Sequence, residues 1–402
     1  MSVERSLRRN LRELPTAAWV LFAGTFVNRF GSFVMTFLIL YLTRRGFSPP
    51  QAGAAVSLYG LGGVAASVLG GELADRIGRT RTITLSMFGS AAVMLTLSQV
   101  DRLPVIFLLT TLAGLTSEAY RPASSALLAD LVPAGQRVSA FAALRFTVNA
   151  GFALGAATAG LLAQRSFFLV FASDALTSVI FGVLAIVAIR DVKVHGPVGE
   201  QRRPPGYAAL LGDRVFLLFL IAALLVAFVY LQSYSTFALQ VRALGFSSAV
   251  YGGLIALNGL LIVLLELPLT SWTQHRPPRP VIAAGFLLVG IGFSLLAVAH
   301  VLPLLILAVL TWTFGEMLNS PMAGAYVADR APVRLRGRYQ GAWGLTWGLG
   351  LILGPVIGAS LFAWNPSGFW LICGLLAAAG SVLVLGSGRL ANRTAPFPGN
   401  AG

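Results

Sequence analysis

One cysteine and one lysine stand among 402 residues. The lone cysteine, Cys373, sits inside an apolar run, which excludes a disulfide framework and a cysteine-based metal site. The three histidines, His195, His275 and His300, fall in polar connections without ligand spacing, so no metal and no cofactor are expected. Charge is scarce as well. Only 11% of residues are charged against 56% hydrophobic, and the mean hydropathy is +0.80. A soluble domain carries about 25% charged residues, so a water-soluble enzyme or a large extramembrane domain is excluded. Acids are scarcest: 14 Asp and Glu face 29 Lys and Arg, a formal charge of +15. That excess suits either nucleic acid or the bias of basic residues toward the cytoplasmic ends of membrane spans.

What is abundant decides between them. Apolar runs fall at 16–42, 50–70, 82–100, 104–128, 138–163, 168–189, 215–240, 249–271, 281–299, 303–327, 339–362 and 368–387. Each is long enough to cross a bilayer as a helix. The first is too long for a signal peptide and lacks a small-residue cleavage site. With the basic arm of Arg5, Arg8, Arg9 and Arg12 placed in the cytoplasm, cytoplasmic connections hold most of the cations. External connections hold only Arg44, Arg45, Arg102, Arg165 and Arg242. Both termini are therefore expected in the cytoplasm. Once topology has absorbed the charge, no basic face remains for nucleic acid. The expected organisation is an arm at 1–15, a six-helix bundle at 16–189, a cytoplasmic linker at 190–214, a second six-helix bundle at 215–390 and a flexible tail at 391–402.

The two bundles are copies. At an offset of 199, Gly46-Phe47-Ser48 meets Gly245-Phe246-Ser247, Gly53 meets Gly252, and Leu103-Pro104 meets Leu302-Pro303. Ala129-Asp130 meets Ala328-Asp329, Arg137 meets Arg336, and Gly151, Leu154 and Gly155 meet Gly350, Leu353 and Gly354. An even number of spans per copy inserts both in the same orientation, which gives a parallel repeat. The chain is expected to be an all-α integral membrane protein of twelve transmembrane helices in two six-helix bundles.

Between spans 2 and 3 lies Gly71-Glu72-Leu73-Ala74-Asp75-Arg76-Ile77-Gly78-Arg79-Thr80-Arg81. This turn resembles the signature loop of the major facilitator superfamily, and with the repeat the resemblance spans the whole chain. It implies a transporter, with Gly71, Asp75, Arg76, Gly78 and Arg79 bracing the inner gate. The second copy, Thr270 to Arg279, keeps bases but has Gln274 for the acid and Pro277 for the glycine. Asp130, Arg137, Asp329 and Arg336 frame the turns between spans 4 and 5 and between spans 10 and 11. They are expected to act as structural latches, paired with each other or with the signature loop. Gly151-x-x-x-Gly155 allows close helix approach. In drug:proton antiporters of the superfamily a proline follows this element in span 5. Here Ala156 takes that place, and the fuller form, Gly350-x-x-x-Gly354-Pro355-x-x-Gly358, lies in span 11.

Seven ionisable residues lie within spans: Arg29, Glu118, Arg121, Arg145, Asp174, Glu266 and Glu316. Each costs roughly 2.5–3.5 kcal/mol at a helix centre on insertion scales, so each calls for a partner or a polar cavity. Glu118 and Arg121, three apart, share a helix face and can pair. Arg29, mid-span in Asn28-Arg29-Phe30-Gly31, can meet Glu118 or an anionic group of a substrate. A loosely similar Glu-Arg-Phe element marks proton-coupled peptide carriers, but Thr25 and Asn28 stand where their acids would be. Glu316 lies near the midplane of span 10 with no cation within four residues in sequence. Gly315-Glu316 through Pro321 resembles the Gly-Glu-x-x-x-x-Pro element of proton-coupled multidrug exporters, where the acid is a protonation site. Glu316 is the first expectation for the coupling acid and Glu118 the second. Asp174 and Glu266, nearer span ends, are expected to hydrate or pair. A substrate cavity is expected from Asn28, Arg29, Tyr120, Arg121, Asn149, Tyr234, Asn258 and Trp312, with Tyr59, Tyr230, Gln232, Trp343 and Trp347 as further aromatics and amides.

The resemblance implies a non-enzymatic transporter of the bacterial inner membrane. It would export small amphipathic molecules in exchange for protons by alternating access, working as a monomer among membrane lipids. Uptake of a nutrient or peptide by proton symport is the alternative.

Overall fold

In the computed structural model, the described residues are 13–133, 136–189, 208–331 and 335–394. Most of the basic arm, the linker from 190 to 207 and the end of the tail lie outside them, as do the side chains of Arg137 and Arg336. A bilayer core offers no water to unpaired backbone groups, and a chain this apolar answers with helices throughout. Span 1 is Thr16–Gly31 with Val34–Arg44; span 2 is Pro49–Ile77; span 3 is Arg79–Leu97. Span 4 is Leu103–Glu118 with Tyr120–Leu131, followed by Arg137–Arg165 and Phe167–Ala188. The second copy holds Arg214–Tyr230 with Thr236–Ala243, then Ser248–Thr273, Pro278–Leu295, Leu302–Arg330, Arg336–Trp364 and Pro366–Thr394 as spans 7 to 12. By length and hydropathy, 11 helices among the described residues can cross a membrane. Span 3, 19 residues long, completes the twelve. It misses the hydropathy mark because Arg79, Arg81, Thr82, Thr84, Ser86 and Ser90 dilute it. The last helix runs to Thr394, into the segment expected as a flexible tail, and a short helix, Ala208–Gly212, occupies part of the expected linker.

The 199-residue repeat reaches down to single hydrogen bonds. Gly46 (φ 92°) and Gly245 (φ 82°) end the first span of each copy in the left-handed region that favours glycine. Gly46 N–H donates to the Thr43 carbonyl and Gly245 N–H to that of Arg242. Phe47 N–H reaches Leu42 and Phe246 N–H reaches Val241, both at 3.1 Å. The next helix is then capped in both copies by serine: Ser48 Oγ accepts from Gln51 N–H and Ser247 Oγ from Val250 N–H, each at 3.4 Å.

Both first spans are also interrupted midway. Span 1 breaks at Ser32 and Phe33, and span 7 passes through a 3-10 turn at Leu231–Tyr234, the same place in the repeat. The breaks are satisfied differently. In span 1 the carboxylate of Asp174, only 3% exposed, accepts from the Val34 backbone N–H and from Ser32 Oγ. It thereby caps the half-helix Val34–Arg44 from span 6. In span 7 the buried Gln232 amide donates to the carbonyls of Phe228 (3.0 Å) and Gly354 (3.1 Å). The counterpart of Asp174 is Cys373, buried and apolar.

Backbone proximity divides the chain into two units. The first holds Met1–Pro197, Ser233–Val263 and Pro355–Ser360. It therefore includes the end of span 7, most of span 8 and a turn of span 11 beside the first six helices. Here small residues set the packing in repeat-related pairs. Gly53 lies on Pro355 and Ala359; its counterpart Gly252 lies on Ala156 and Gly160, the counterparts of those two. A side chain at either glycine would collide with backbone. Pro355 lies inside the span 11 helix without an N–H of its own to donate, and the next residue, Val356, donates its N–H to Ser57 Oγ at 3.1 Å. Tyr251 Oη, fully buried, lies within hydrogen-bond distance of the Thr36 and Ser233 carbonyls. Arg242 Nη1 donates to Thr43 Oγ1 at 2.6 Å.

The second unit holds Val198–Gln232, Leu264–Gly354 and Leu361–Gly402. Spans 9 and 10 meet at Gly285 and Gly315, each resting on the other's carbonyl. Above them Phe293 stacks on Trp312 (4.6 Å between centroids, 14° between planes), and Trp370 continues the layer.

Candidate functional site

A polar cluster lies inside the first unit, where apolar spans leave few partners to share. Arg121 Nε, two residues past a break in span 4 at Ala119, pairs with Glu118 Oε2 at 2.6 Å. The expected local ion pair is present. Tyr59 Oη from span 2 donates to the other carboxylate oxygen, Glu118 Oε1, at 3.3 Å. Arg29 reaches in from span 1, its guanidinium 5.7 Å from the Tyr120 ring centroid. Its Nε is buried without a hydrogen-bond partner. Gly151, in span 5, makes room for the Arg29 stem and the backbone of Phe26. Glu118 and Arg121 differ in access: their side chains are 18% and 54% exposed.

The other expected cavity residues divide by burial. Asn149 and Tyr234 are half-buried, and the Tyr234 ring meets Phe152 edge-on. Asn28, expected on a cavity wall, is buried and donates to Ser178 Oγ (3.2 Å), with Met87 Sδ at 3.5 Å. Tyr120 is buried edge-on against Phe181 in a core with Phe22, Met87 and Leu127. Asn258 is buried as well. Trp312, also expected to face a cavity, is completely buried in the second unit, where its indole packs on Phe293. A large aromatic at helical spacing has here served the core. Glu316 is half-buried one residue from the Gly285–Gly315 crossing, beside the buried Asn319.

At the opposite end of the spans from Gly46, the signature turn is built around Gly78, whose φ of 99° ends span 2 and starts span 3. Arg79 turns inward, its side chain 16% exposed, and pairs through Nε with Asp130 of span 4. It also stands 3.6 Å from Asp75. Arg76 pairs with Glu72 on the surface. Gly71 lies within the span 2 helix with open space around it. Asp130 thus latches onto the signature loop, one of the two partners expected.

In the second copy the side chain of Arg336, the partner expected for Asp329, lies outside the described residues. Asp329 is exposed. The latch is its neighbour: Arg330 holds Asp213 through two nitrogens, Nε at 2.9 Å and the closer Nη2. Tyr339 Oη donates to the same carboxylate at 3.1 Å, and Asp213 caps span 7 by accepting from Phe216 N–H at 3.0 Å. Burial alone would raise the Asp213 pKa, but these hydrogen bonds and the Arg330 charge hold it below the usual carboxylate range. The sequence signal for Asp213 was an Asp just before an apolar run, a helix-start mark. With Gln274 in place of an acid, the second signature turn leaves Arg279 over the Tyr326 ring, 5.7 Å from its centroid.

The family profile of the Major Facilitator Superfamily matches residues 21–243 and 232–399. The chain is similar to an uncharacterized MFS-type transporter, YttB, of Bacillus subtilis (strain 168), with 31% identity over 82% of this chain and 84% of that one. It is similar to a Na(+), Li(+), K(+)/H(+) antiporter of Planococcus maritimus, with 27% identity over 78% and 82%. Over about half its length, 48% of this chain and 50% of the relative, it is 25% identical to the quinolone resistance protein NorA of Staphylococcus aureus. Among solved structures, a POT family transporter in complex with 5-aminolevulinic acid superposes with a TM-score of 0.77 at 18% identity, over 94% of this chain and 97% of that one. Twelve helices in a parallel repeat, a signature turn braced by Arg79 and Asp130, and a family profile matched in both halves lead to one conclusion: the chain is a multi-pass membrane transporter of the major facilitator superfamily, not an enzyme.

Proposed function

We propose that the chain exports small amphipathic molecules in exchange for protons, by alternating access, from a bacterial cytoplasm across the inner membrane. The observation that carries this reading is the pair of carboxylates held within spans, Glu118 in its Tyr59–Arg121 cluster and Glu316 beside the span 9–10 crossing. A carboxylate at that depth stays charged only while partners surround it, so a change of surroundings drives proton uptake or release. Glu118 already shares Arg121, and Arg121 is open to incoming solute; a proton on Glu118 frees that guanidinium. Glu316 is the first coupling acid and Glu118 the second. Arg29, Arg121, Asn149 and Tyr234 contact solute. The similarity to a cation/H(+) antiporter and to a quinolone resistance protein supports exchange and amphipathic cargo. Both termini lie in the cytoplasm, the latches Arg79–Asp130 and Asp213–Arg330 brace each unit there, and the monomer is the working unit.

The test is flux in everted membrane vesicles. An acid-inside proton gradient should drive a fluorescent cationic amphiphile into them, and collapse of the gradient should stop it. Glu316→Gln should abolish that dependence while leaving gradient-independent exchange. Accumulation of a peptide or nutrient in right-side-out vesicles, driven by an acid exterior, would replace export with symport.

A further inference from the structure

The end of the first unit that carries Gly46 and Gly245 is short of negative charge. By the alternation of connections it holds Arg44, Arg45, Arg102, Arg165 and Arg242, and of the 14 acids only Asp101 belongs there. Asp101 is taken by Arg45, which also donates to Tyr41 Oη and the Val100 carbonyl. Arg44 and Arg242 form no ion pair among the described residues. Arg44 lies over the Phe167 ring, 5.4 Å from its centroid, and Arg242 donates to Thr43.

These two guanidinium groups border one cavity of about 90 Å³. Its other polar walls are Gln164, Ser247 and Ser248, the last two at the start of span 8. The first backbone N–H groups of a helix have no partner within it, so this wall adds donors and a partial positive charge. The room is several times what one water needs. A half-open cavity bordered by two exposed cations, an exposed amide and two serine hydroxyls at a helix start, with no acid in its lining, has one complementary class of occupant.

We propose that this cavity binds a phosphate-bearing anion, whether a phospholipid headgroup or free inorganic phosphate. Arginine forks match the oxygens of a phosphate, and a bridging anion removes the repulsion between two adjacent cations. The walls come from both copies of the repeat: Leu40 and Arg44 from span 1, Gln164 and Phe167 from spans 5 and 6, Val241 to Ser248 from spans 7 and 8. The site exists only while those segments are packed together, so the anion favours the arrangement in which the Gly46 end is sealed.

Melting of the purified full chain, followed by tryptophan fluorescence, tests this with two probes at equal ionic strength. One is nanodiscs of phosphatidylglycerol with phosphatidylcholine against phosphatidylcholine alone; the other is inorganic phosphate against chloride in phosphatidylcholine nanodiscs. At least one probe should raise the melting temperature by about 2 °C or more, and the double variant R44Q/R242Q should lose that rise. A rise with phosphatidylglycerol alone identifies a headgroup; a rise with inorganic phosphate identifies the free anion. R45Q, which removes an equal charge already held by Asp101, should keep the rise. The proposal is overturned by no rise with either probe, by a rise that survives in R44Q/R242Q, or by an equal loss in R45Q. If the double variant does not fold, R44Q and R242Q singly must each reduce the rise, and an undiminished rise in either overturns the proposal.

Discussion

Thr43 and Arg242 are the same position in the two copies of the repeat, and they touch: Arg242 Nη1 donates to Thr43 Oγ1 at 2.6 Å. Two equivalent positions can meet only where the axis relating the copies passes between them. The packing around this contact obeys the same symmetry, with Gly53 on Pro355 and Ala359 matched by Gly252 on Ala156 and Gly160. The cysteine pair T43C/R242C, in a chain with Cys373→Ala, should be joined rapidly by a short bifunctional thiol reagent. Joining should stop transport, and chemical cleavage of the link should restore it. Normal turnover in the cross-linked protein would show that these segments never separate.

Gly53→Leu and Gly252→Leu should disturb the first unit by similar amounts, since each drives a side chain into helix backbone at equivalent places. Overpacking of this kind costs about 1–3 kcal/mol, and both variants should melt several degrees below the parent. Gly71→Ala, with open space around it, should melt like the parent. A large gap between the Gly53 and Gly252 variants would show that the two contacts are not energetically equivalent.

The latches differ in burial, and a double-mutant cycle reads that difference. Arg79 and Asp130 are 16% and 27% exposed, whereas Arg76 and Glu72 are 73% and 52% exposed. The coupling energy for Arg79–Asp130 should exceed about 1 kcal/mol, while that for Arg76–Glu72 should stay near 0.3–0.5 kcal/mol as for exposed pairs four apart on a helix. Equal couplings in chemical unfolding would remove burial as the cause.

Asp213 gives the second unit an acid-sensitive joint. Its folded pKa is lowered, so its contribution to stability is present above the ordinary carboxylate pKa. That contribution is lost as pH falls through the folded value. Below about pH 4 the parent should therefore lose part of its stability that Asp213→Asn does not lose. At neutral pH, Asp213→Ala should cost at least the ~1 kcal/mol typical of a helix cap. Parallel pH profiles for parent and Asp213→Asn would mean the carboxylate is not held in its charged form.

Asp174 holds the half-helix Val34–Arg44, so Asp174→Ala should leave a buried N–H without an acceptor at a cost of about 1–3 kcal/mol. Asp174→Asn, which keeps an acceptor oxygen, should recover most of that in melting experiments. Equal losses would assign the effect to charge rather than to capping.

Much of this organisation was legible in the chain itself because a bilayer imposes long apolar runs and biased charge, and because duplication wrote the turns twice. The Glu118–Arg121 pair could be read because three residues on one helix fix a shared face. Asp130 was foreseen as a latch because the signature turn supplies its cation nearby. Asp213 and Arg330 were not paired in advance, since 117 residues separate them and only the fold brings them together. Asp174 was read as a residue near a span end that would hydrate or pair. The break it caps at Ser32 has no proline or glycine pair to announce it, only Gly31 beside Ser32. Trp312 was misplaced because depth along a helix is visible in a sequence while the direction its ring faces is not.

The matched contacts at Gly53 and Gly252 amount to an isologous interface folded into one polypeptide. In a homodimer such a surface is self-complementary, and any substitution changes both contacts at once. Fusion of the copies ends that constraint: Asp174 can become Cys373 in the partner copy, and an acid at the first signature turn can become Gln274 at the second. Closure at the Gly46 end stays twofold while the remaining residues are free to specialise, one copy gathering the Arg29–Glu118 cluster and the other Glu316.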